Sequence, residues 1–146
     1  MSTQTKLRKG FSTITPYLTV TDAGKLIDFI TRVFGAEQTF LTHRPDGTVW
    51  HAEARVGDSM LMLGQAGGPW QPRPSTLYIF VDDVDATYKT ALDAGAKSLA
   101  EPQNHDYGDR SAGFEDPCGN FWWAASVVED LSNDEILERM KAGTRQ

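Results

Sequence analysis

Two side chains in this sequence are spaced to act together. His51 and Glu53 lie two residues apart in Val49–Val56 (VWHAEARV). On a strand, side chains two apart share a face, so an imidazole and a carboxylate there can touch one ligand, exchange a proton or contribute to a metal site. Two donors fall short of a usual zinc or iron set, and the same pair also fits a hydrogen-bonded polar couple near a sheet edge. Arg110 is the third candidate. Its guanidinium either pairs with Glu53, because a buried cation needs a counter-ion, or holds an anionic or carbonyl group and stabilises charge there. Cys118, the single cysteine, sits in the turn Asp116-Pro117-Cys118-Gly119-Asn120 with no evident base, so no nucleophile is read there. His43 and His105 read as solvated hairpin and loop residues. No phosphate-cradling glycine loop or serine-nucleophile elbow is present.

The elements that must position these groups follow from periodicity. Thr13–Thr21 (TITPYLTVT) alternates and is rich in β-branched residues, which predicts a strand with Ile14, Leu18 and Val20 on one face. Pro16 donates no ladder hydrogen bond and requires an edge or a bulge. Asp22 suits a helix N-cap. Leu26, Ile27, Phe29, Ile30, Val33 and Phe34 give an apolar stripe at helical spacing, and Gly35 suits the left-handed stop. Strands are expected over Glu37–Arg44, Val49–Val56 and Ser59–Leu63, with turns at Pro45-Asp46-Gly47 and Gly57-Asp58. Gln65–Pro74 (QAGGPWQPRP) reads as a linker, and Trp70 within it either lies exposed or caps a pocket or a dimer partner. A second strand (Thr76–Val81), helix (Val84–Ala94, stopped by Gly95) and three further strands follow, at Lys97–Glu101, around Arg110–Phe114 and at Phe121–Val127. Ser132 with Glu135 three residues on is a capping box opening a short helix to Lys141.

The order of elements repeats. A shift of 61 residues lays Tyr17–Asp22 on Tyr78–Asp83 and Met60-Leu61-Met62 on Phe121-Trp122-Trp123; with one gap, Phe34–Glu37 lies on Ala94–Lys97. One β-α-β-β-β unit cannot bury both faces of its sheet, whereas two can. The expected organisation is a lead-in (1–11), a first module (12–64), a linker (65–75), a second module (76–128) and a tail with a short helix (129–146). At 146 residues, 40% hydrophobic and with a formal net charge of −6, the chain has ordinary globular composition and no charge bias towards nucleic acid. No apolar run approaches the roughly 18 residues of a membrane span, and no signal-peptide pattern follows the basic residues Lys6, Arg8 and Lys9. A cytoplasmic location is expected.

On Pro16–Val20, Phe29-Ile30 and Val33–Ala36, on Pro45-Asp46-Gly47 through His51-Ala52-Glu53, on Val81–Ala86 with Ala94-Gly95-Ala96, and on Tyr107–Arg110 with Glu115-Asp116-Pro117 and Gly119–Trp122, the sequence resembles the vicinal oxygen chelate superfamily of glyoxalases, bleomycin-resistance proteins and extradiol dioxygenases. The resemblance spans about residues 12–128 and is strongest to the bleomycin-resistance-like branch. It implies an α+β fold in which two paired βαβββ modules form curled sheets around a concave cavity with helices on the outer face, commonly as a homodimer.

Strand alternation then sorts the faces. Trp50, Ala52, Ala54 and Val56 are expected under the helix, with Leu77, Ile79 and Val81 in the core. Thr15, Tyr17, Val49, His51, Glu53, Arg55, Met60, Met62, Thr76, Tyr78, Phe80, Phe121 and Trp123 are expected on the concave side, joined by Arg110. The resemblance implies metal ligands at four positions, which fall here on Thr15, Met62, Thr76 and Trp123. A thioether is soft and weak, and an indole offers no lone pair, so no cofactor is expected and a divalent metal is the less favoured alternative. The expected function is binding of a small planar or aromatic molecule, with ligand contacts from Thr15, Tyr17, His51, Glu53, Met62, Thr76, Tyr78, Phe80, Arg110 and Trp123. The alternative is a lyase, isomerase or dioxygenase using unusual metal ligands or metal-free acid/base groups, with His51, Glu53 and Arg110 as candidate catalytic residues. The sequence leaves open which of the two applies.

Overall fold

The computed structural model of the chain describes residues 5–143. It divides into two compact units, Met1–Ser75 and Thr76–Gln146. The first runs β1 (Tyr17–Val20), α1 (Ala23–Phe34), β2 (Glu37–His43), β3 (Val49–Val56) and β4 (Ser59–Gln65). The second runs β5 (Thr76–Phe80), α2 (Val84–Asp93), β6 (Lys97–Asn104), β7 (Asp109–Glu115), β8 (Phe121–Val127) and α3 (Asn133–Lys141). The sheets have matching orders, β1-β4-β3-β2 and β5-β8-β7-β6. In each, the first strand is parallel to the last and the remaining pairings are antiparallel. The helix after the first strand is the crossover that a parallel pair requires.

Local chemistry explains the helices. The Asp22 side chain accepts the Lys25 N–H at 3.0 Å, and Gly35 ends α1 at φ 67°, a left-handed position that suits glycine. Leu26, Ile27, Phe29, Ile30 and Val33 are buried on α1, while Leu18, Val20, Ala52, Ala54, Leu61 and Leu63 are buried on the sheet. Asp83 caps α2 in the same way, but only Val84 and Ala91 are buried on that helix. The core of the second unit therefore rests on the sheet residues Ala112, Phe114, Trp122 and Ala124. The capping box at Ser132 and Glu135 is present at α3, whose Leu137 and Met140 remain exposed.

Three strand expectations need correction. The first strand begins at Tyr17, not Thr13, and Ile14 is 83% exposed instead of core. Pro16 contributes only its carbonyl, which accepts Met62 N–H at 3.0 Å, so pairing starts after it. Trp50 does not pack under α1; it is 58% exposed. The ladder passes from Thr42↔His51 to His43↔Val49, leaving Trp50 as the extra residue of a bulge, and a bulge re-aims its side chain against strict alternation. Arg110 shares the helix-facing side of β7 with the buried Ala112 and Phe114, not the opposite face.

Candidate functional site

Register places a row of side chains across the face of each sheet away from its helix. In the first unit the row is Tyr17–Met62–Glu53–Phe40, and in the second it is Tyr78–Trp123–Gly113–Ala100. The first row holds a carboxylate that is 2% exposed. Burial pushes the Glu53 carboxyl up. Hydrogen bonds from Arg8 and His51, with the Arg8 charge, outweigh that and hold it below the usual carboxylate range. Arg8 makes a bidentate contact, Nη2 to Oε1 at 2.7 Å and Nη1 to Oε2 at 3.0 Å. The guanidinium also lies 4.7 Å from the centre of the Phe11 ring.

The contacts continue along the face. His51 Nε2 lies 3.0 Å from Glu53 Oε2, and His51 Nδ1 lies 3.3 Å from the Tyr17 hydroxyl. A carboxylate only accepts, so Nε2 carries a proton. In the neutral imidazole Nδ1 then accepts from Tyr17. The chain Arg8–Glu53–His51–Tyr17 thus ends on a phenol. The Tyr17 ring lies over Gly64, where a Cβ would come within 2.6 Å of the hydroxyl oxygen and 2.9 Å of the ring edge. Glycine at 64 is what lets the ring lie there.

Tyr17 also lines a cavity of about 320 Å³ with Thr19, Arg44, Trp50, Gly64, Gln65 and Trp70. Gln65, at the end of β4, ties its parts together. Its side chain accepts Ala23 N–H and donates to the Thr21 carbonyl, and its backbone carbonyl accepts Arg44 Nη2 at 3.0 Å. The segment expected as a linker supplies the next wall. Gly67 and Trp70 exchange backbone hydrogen bonds at 2.9 and 3.0 Å, and Arg73 N–H donates to Thr19 O at 3.0 Å. Trp70 is held at the cavity and is 71% exposed.

The other expected residues are distributed as follows. Met62 stands between Tyr17 and Glu53 in the first row. Thr15 precedes β1, with its hydroxyl 3.5 Å from Ser12 O. Thr76 and Phe80 are exposed on β5. Tyr78 donates to Asp109 at 2.6 Å, and burial, with that hydrogen bond and the neighbouring Tyr107, pushes its phenol well up. Trp123 lies against Gly113, where a Cβ would meet the ring at 2.3 Å. Arg110 does not meet Glu53; it pairs with Asp85 of α2 at 2.8 Å and with Asn104 at 3.1 Å. His105 lies in the loop between β6 and β7 as expected, but it is half-buried instead of solvated. Its Nε2 lies 2.8 Å from the buried Ser111 hydroxyl, and its ring stacks on Tyr107 at 5.0 Å.

The donors do not fit a metal. Thr15, Met62, Thr76 and Trp123 supply two hydroxyls, a thioether and an indole. Both Glu53 oxygens already face a guanidinium, so the positive charge beside His51 and Glu53 is Arg8 itself. Among the described residues, no three His, Cys, Asp or Glu side chains converge. No helix there is long and apolar enough to cross a membrane.

Sequence reasoning missed Arg8, Arg44, Gln65 and the role of Trp50. Arg8 and Arg44 lie 45 and 21 residues from their partners, beyond any local pattern. The available signals were the isolated glycines in apolar strands, Gly64 and Gly113, which mark close approach of another group.

Comparison with known proteins places these features in context. Residues 10–124 match the sequence model of the Glyoxalase/Bleomycin resistance protein/Dioxygenase superfamily. An uncharacterised protein of Mycobacterium bovis is 31% identical over 140 residues, 88% of this chain and 92% of that protein. Among solved structures, TioX from Micromonospora sp. ML1 superposes with a TM-score of 0.68 at 24% identity, covering 80% of this chain and 98% of TioX. TnmS3, an antibiotic binding protein from Streptomyces sp. CB03234, gives 0.61 at 24% identity, covering 77% of this chain and 93% of TnmS3.

Proposed function

The chain belongs to the Glyoxalase/Bleomycin resistance protein/Dioxygenase superfamily, and on that premise we propose that it binds a small planar aromatic molecule in the Tyr17–Trp50–Trp70 cavity of its first unit, without a metal ion. The carrying observation is the lining itself: two exposed indoles and a phenol around a cavity of about 320 Å³ whose lining also includes Thr19, Gln65 and Arg44. Small-molecule sites combine such an apolar wall with a few fixed polar groups, in volumes of roughly 300–1,000 Å³. Exposed tryptophans cost solvation that a stacked ligand recovers. TnmS3, which shares the fold, is an antibiotic binding protein, and the proposal extends that class of ligand to this chain.

Calorimetric titration of two- and three-ring planar compounds tests the reading. Binding is expected, is expected to survive a chelator, and is expected to weaken at least about tenfold in Trp50→Ala and Trp70→Ala, given about 1–3 kcal/mol per stacked ring. Absence of heat across the panel, or equal affinity in both variants, refutes it. The homodimer implied by the resemblance belongs to the same reading, and sedimentation of the purified protein decides it.

A second reading has its own observation. The Arg8–Glu53–His51–Tyr17 chain ends at a phenol that lines the same cavity, the arrangement of a metal-free acid/base group delivering or taking a proton at the Tyr17 oxygen. It requires that Tyr17→Phe abolish turnover of a bound compound while leaving its affinity within about twofold. Loss of affinity alone leaves Tyr17 as a wall.

A further inference from the structure

Four arginines among the described residues have a carboxylate partner, and the arginine at the cavity does not. Arg8 meets Glu53, Arg55 meets Glu37, Arg110 meets Asp85 and Arg139 meets Glu129. Arg32 and Arg73 are exposed to water. Arg44 is half-buried, and among the described residues it forms no ion pair with a carboxylate; its side-chain hydrogen bond goes to the Gln65 backbone carbonyl at 3.0 Å. The nearest acid in sequence, Asp46, feels the Arg44 charge but is not in contact with it: its Oδ1 accepts both the N–H and the hydroxyl of Thr48, at 3.0 and 2.7 Å.

Arg44 is also held in place. The hairpin closes around it through Arg44 N–H to Thr48 O at 2.8 Å and Gly47 N–H to Arg44 O at 2.9 Å. Its guanidinium lies against Gly67, where a Cβ would stand 3.2 Å from Nη1. One edge is fixed to Gln65, while the side chain forms part of the lining that includes Trp50 and Trp70. A planar fork of five donors with one accounted for, fixed beside aromatic walls, matches a carboxylate bidentately. A half-buried guanidinium with no carboxylate in contact favours a ligand that brings one.

We propose that the ligand of this cavity is an aromatic carboxylate, its ring on the Trp50 and Trp70 side and its anion on Arg44. The proposal rests on the aromatic-site reading above and narrows its ligand class. It also gives the short segment Gly67–Trp70 a purpose: glycine at 67 admits the guanidinium, and the backbone pairing three residues on sets Trp70 beside it.

The experiment compares 2-naphthoate with its neutral isostere 2-naphthamide by calorimetry, on the full chain and on Arg44→Gln and Arg44→Lys. The native protein is expected to bind the carboxylate at least about tenfold more tightly than the amide, equivalent to about 1.4 kcal/mol. Arg44→Gln is expected to erase that preference by weakening the carboxylate alone. Arg44→Lys is expected to keep part of the preference, because it retains the charge and loses the fork. Thermal midpoints and circular dichroism matching the native protein show that each variant is folded; a variant that fails this check is replaced by the salt dependence of native binding, where only the carboxylate should weaken between 50 mM and 500 mM salt. Equal binding of acid and amide by the native protein overturns the carboxylate proposal and leaves the aromatic site standing. Binding of neither probe overturns both. A preference that persists in folded Arg44→Gln overturns the role of Arg44.

Discussion

The two units share a strand order and a crossover helix, yet their matching rows hold different chemistry. Where the first unit has Met62 beside Glu53, the second has Trp123 beside Gly113. The indole occupies the space that glycine leaves, and that face is filled by its own side chain. In the first unit a buried carboxylate stands at the matching place, and its demand for partners draws in Arg8, His51 and, through His51, Tyr17. The turns before the last strands differ as well. Gly57-Asp58 joins β3 to β4, whereas Asp116 in the second unit is buried and accepts from Cys118 N–H, Asn120 N–H, the Asn120 amide and the Trp122 indole N–H. One topology thus carries a unit closed by packing and hydrogen bonds and a unit that keeps polar groups at an open cavity.

Substitutions break or sharpen this contrast. Asp116→Ala should have the largest effect, about 3 kcal/mol or more on unfolding, because it leaves several buried donors without an acceptor. Chemical denaturation reads it, and a loss under 1 kcal/mol would show that the turn does not hold the second unit. Gly113→Ala should cost about 2 kcal/mol by forcing the Trp123 ring off its seat. Pairing it with Trp123→Met, which copies the residue of the first unit, should recover most of that loss; an additive double variant would sink the packing explanation.

Glu53→Gln should cost about 1.5 kcal/mol at neutral pH. The sign of its pH dependence follows from a carboxyl held below its usual range in the folded chain. The stabilisation is present above the unfolded carboxylate range and is lost as pH falls through the lowered native value. The native protein should therefore lose stability in acid more steeply than Glu53→Gln, and parallel curves would refute the Arg8–Glu53 account. Gly64→Ala should be mildest, about 1 kcal/mol, because the half-exposed Tyr17 ring can swing into water. Its clearer signature is a changed His51 ring chemical shift by NMR as the Tyr17 contact is lost.

Much of the scaffold was legible in the sequence for local reasons. The spacing from Leu26 to Val33, the caps at Asp22 and Ser132 and the stop at Gly35 all act within a turn or two of chain. The candidate site was legible only in part. The shared face of His51 and Glu53 follows from a period of two, and the structure joins them at 3.0 Å. Arg110 was misplaced because its face depends on the register of β7, which a weak pattern (DRSAGFE) does not set.

By itself, then, the sequence determined the order of elements, their caps and turns, and the poor ligand character of Thr15, Met62, Thr76 and Trp123, since each depends on near neighbours or on side-chain chemistry alone. Only the tertiary structure decided which charge answers Glu53, that a bulge turns Trp50 outward, and that Arg44 stands without a carboxylate beside Trp70. Those outcomes join residues tens of positions apart, where burial makes a charge seek whatever partner the fold brings within reach, and no local spacing records which one that is.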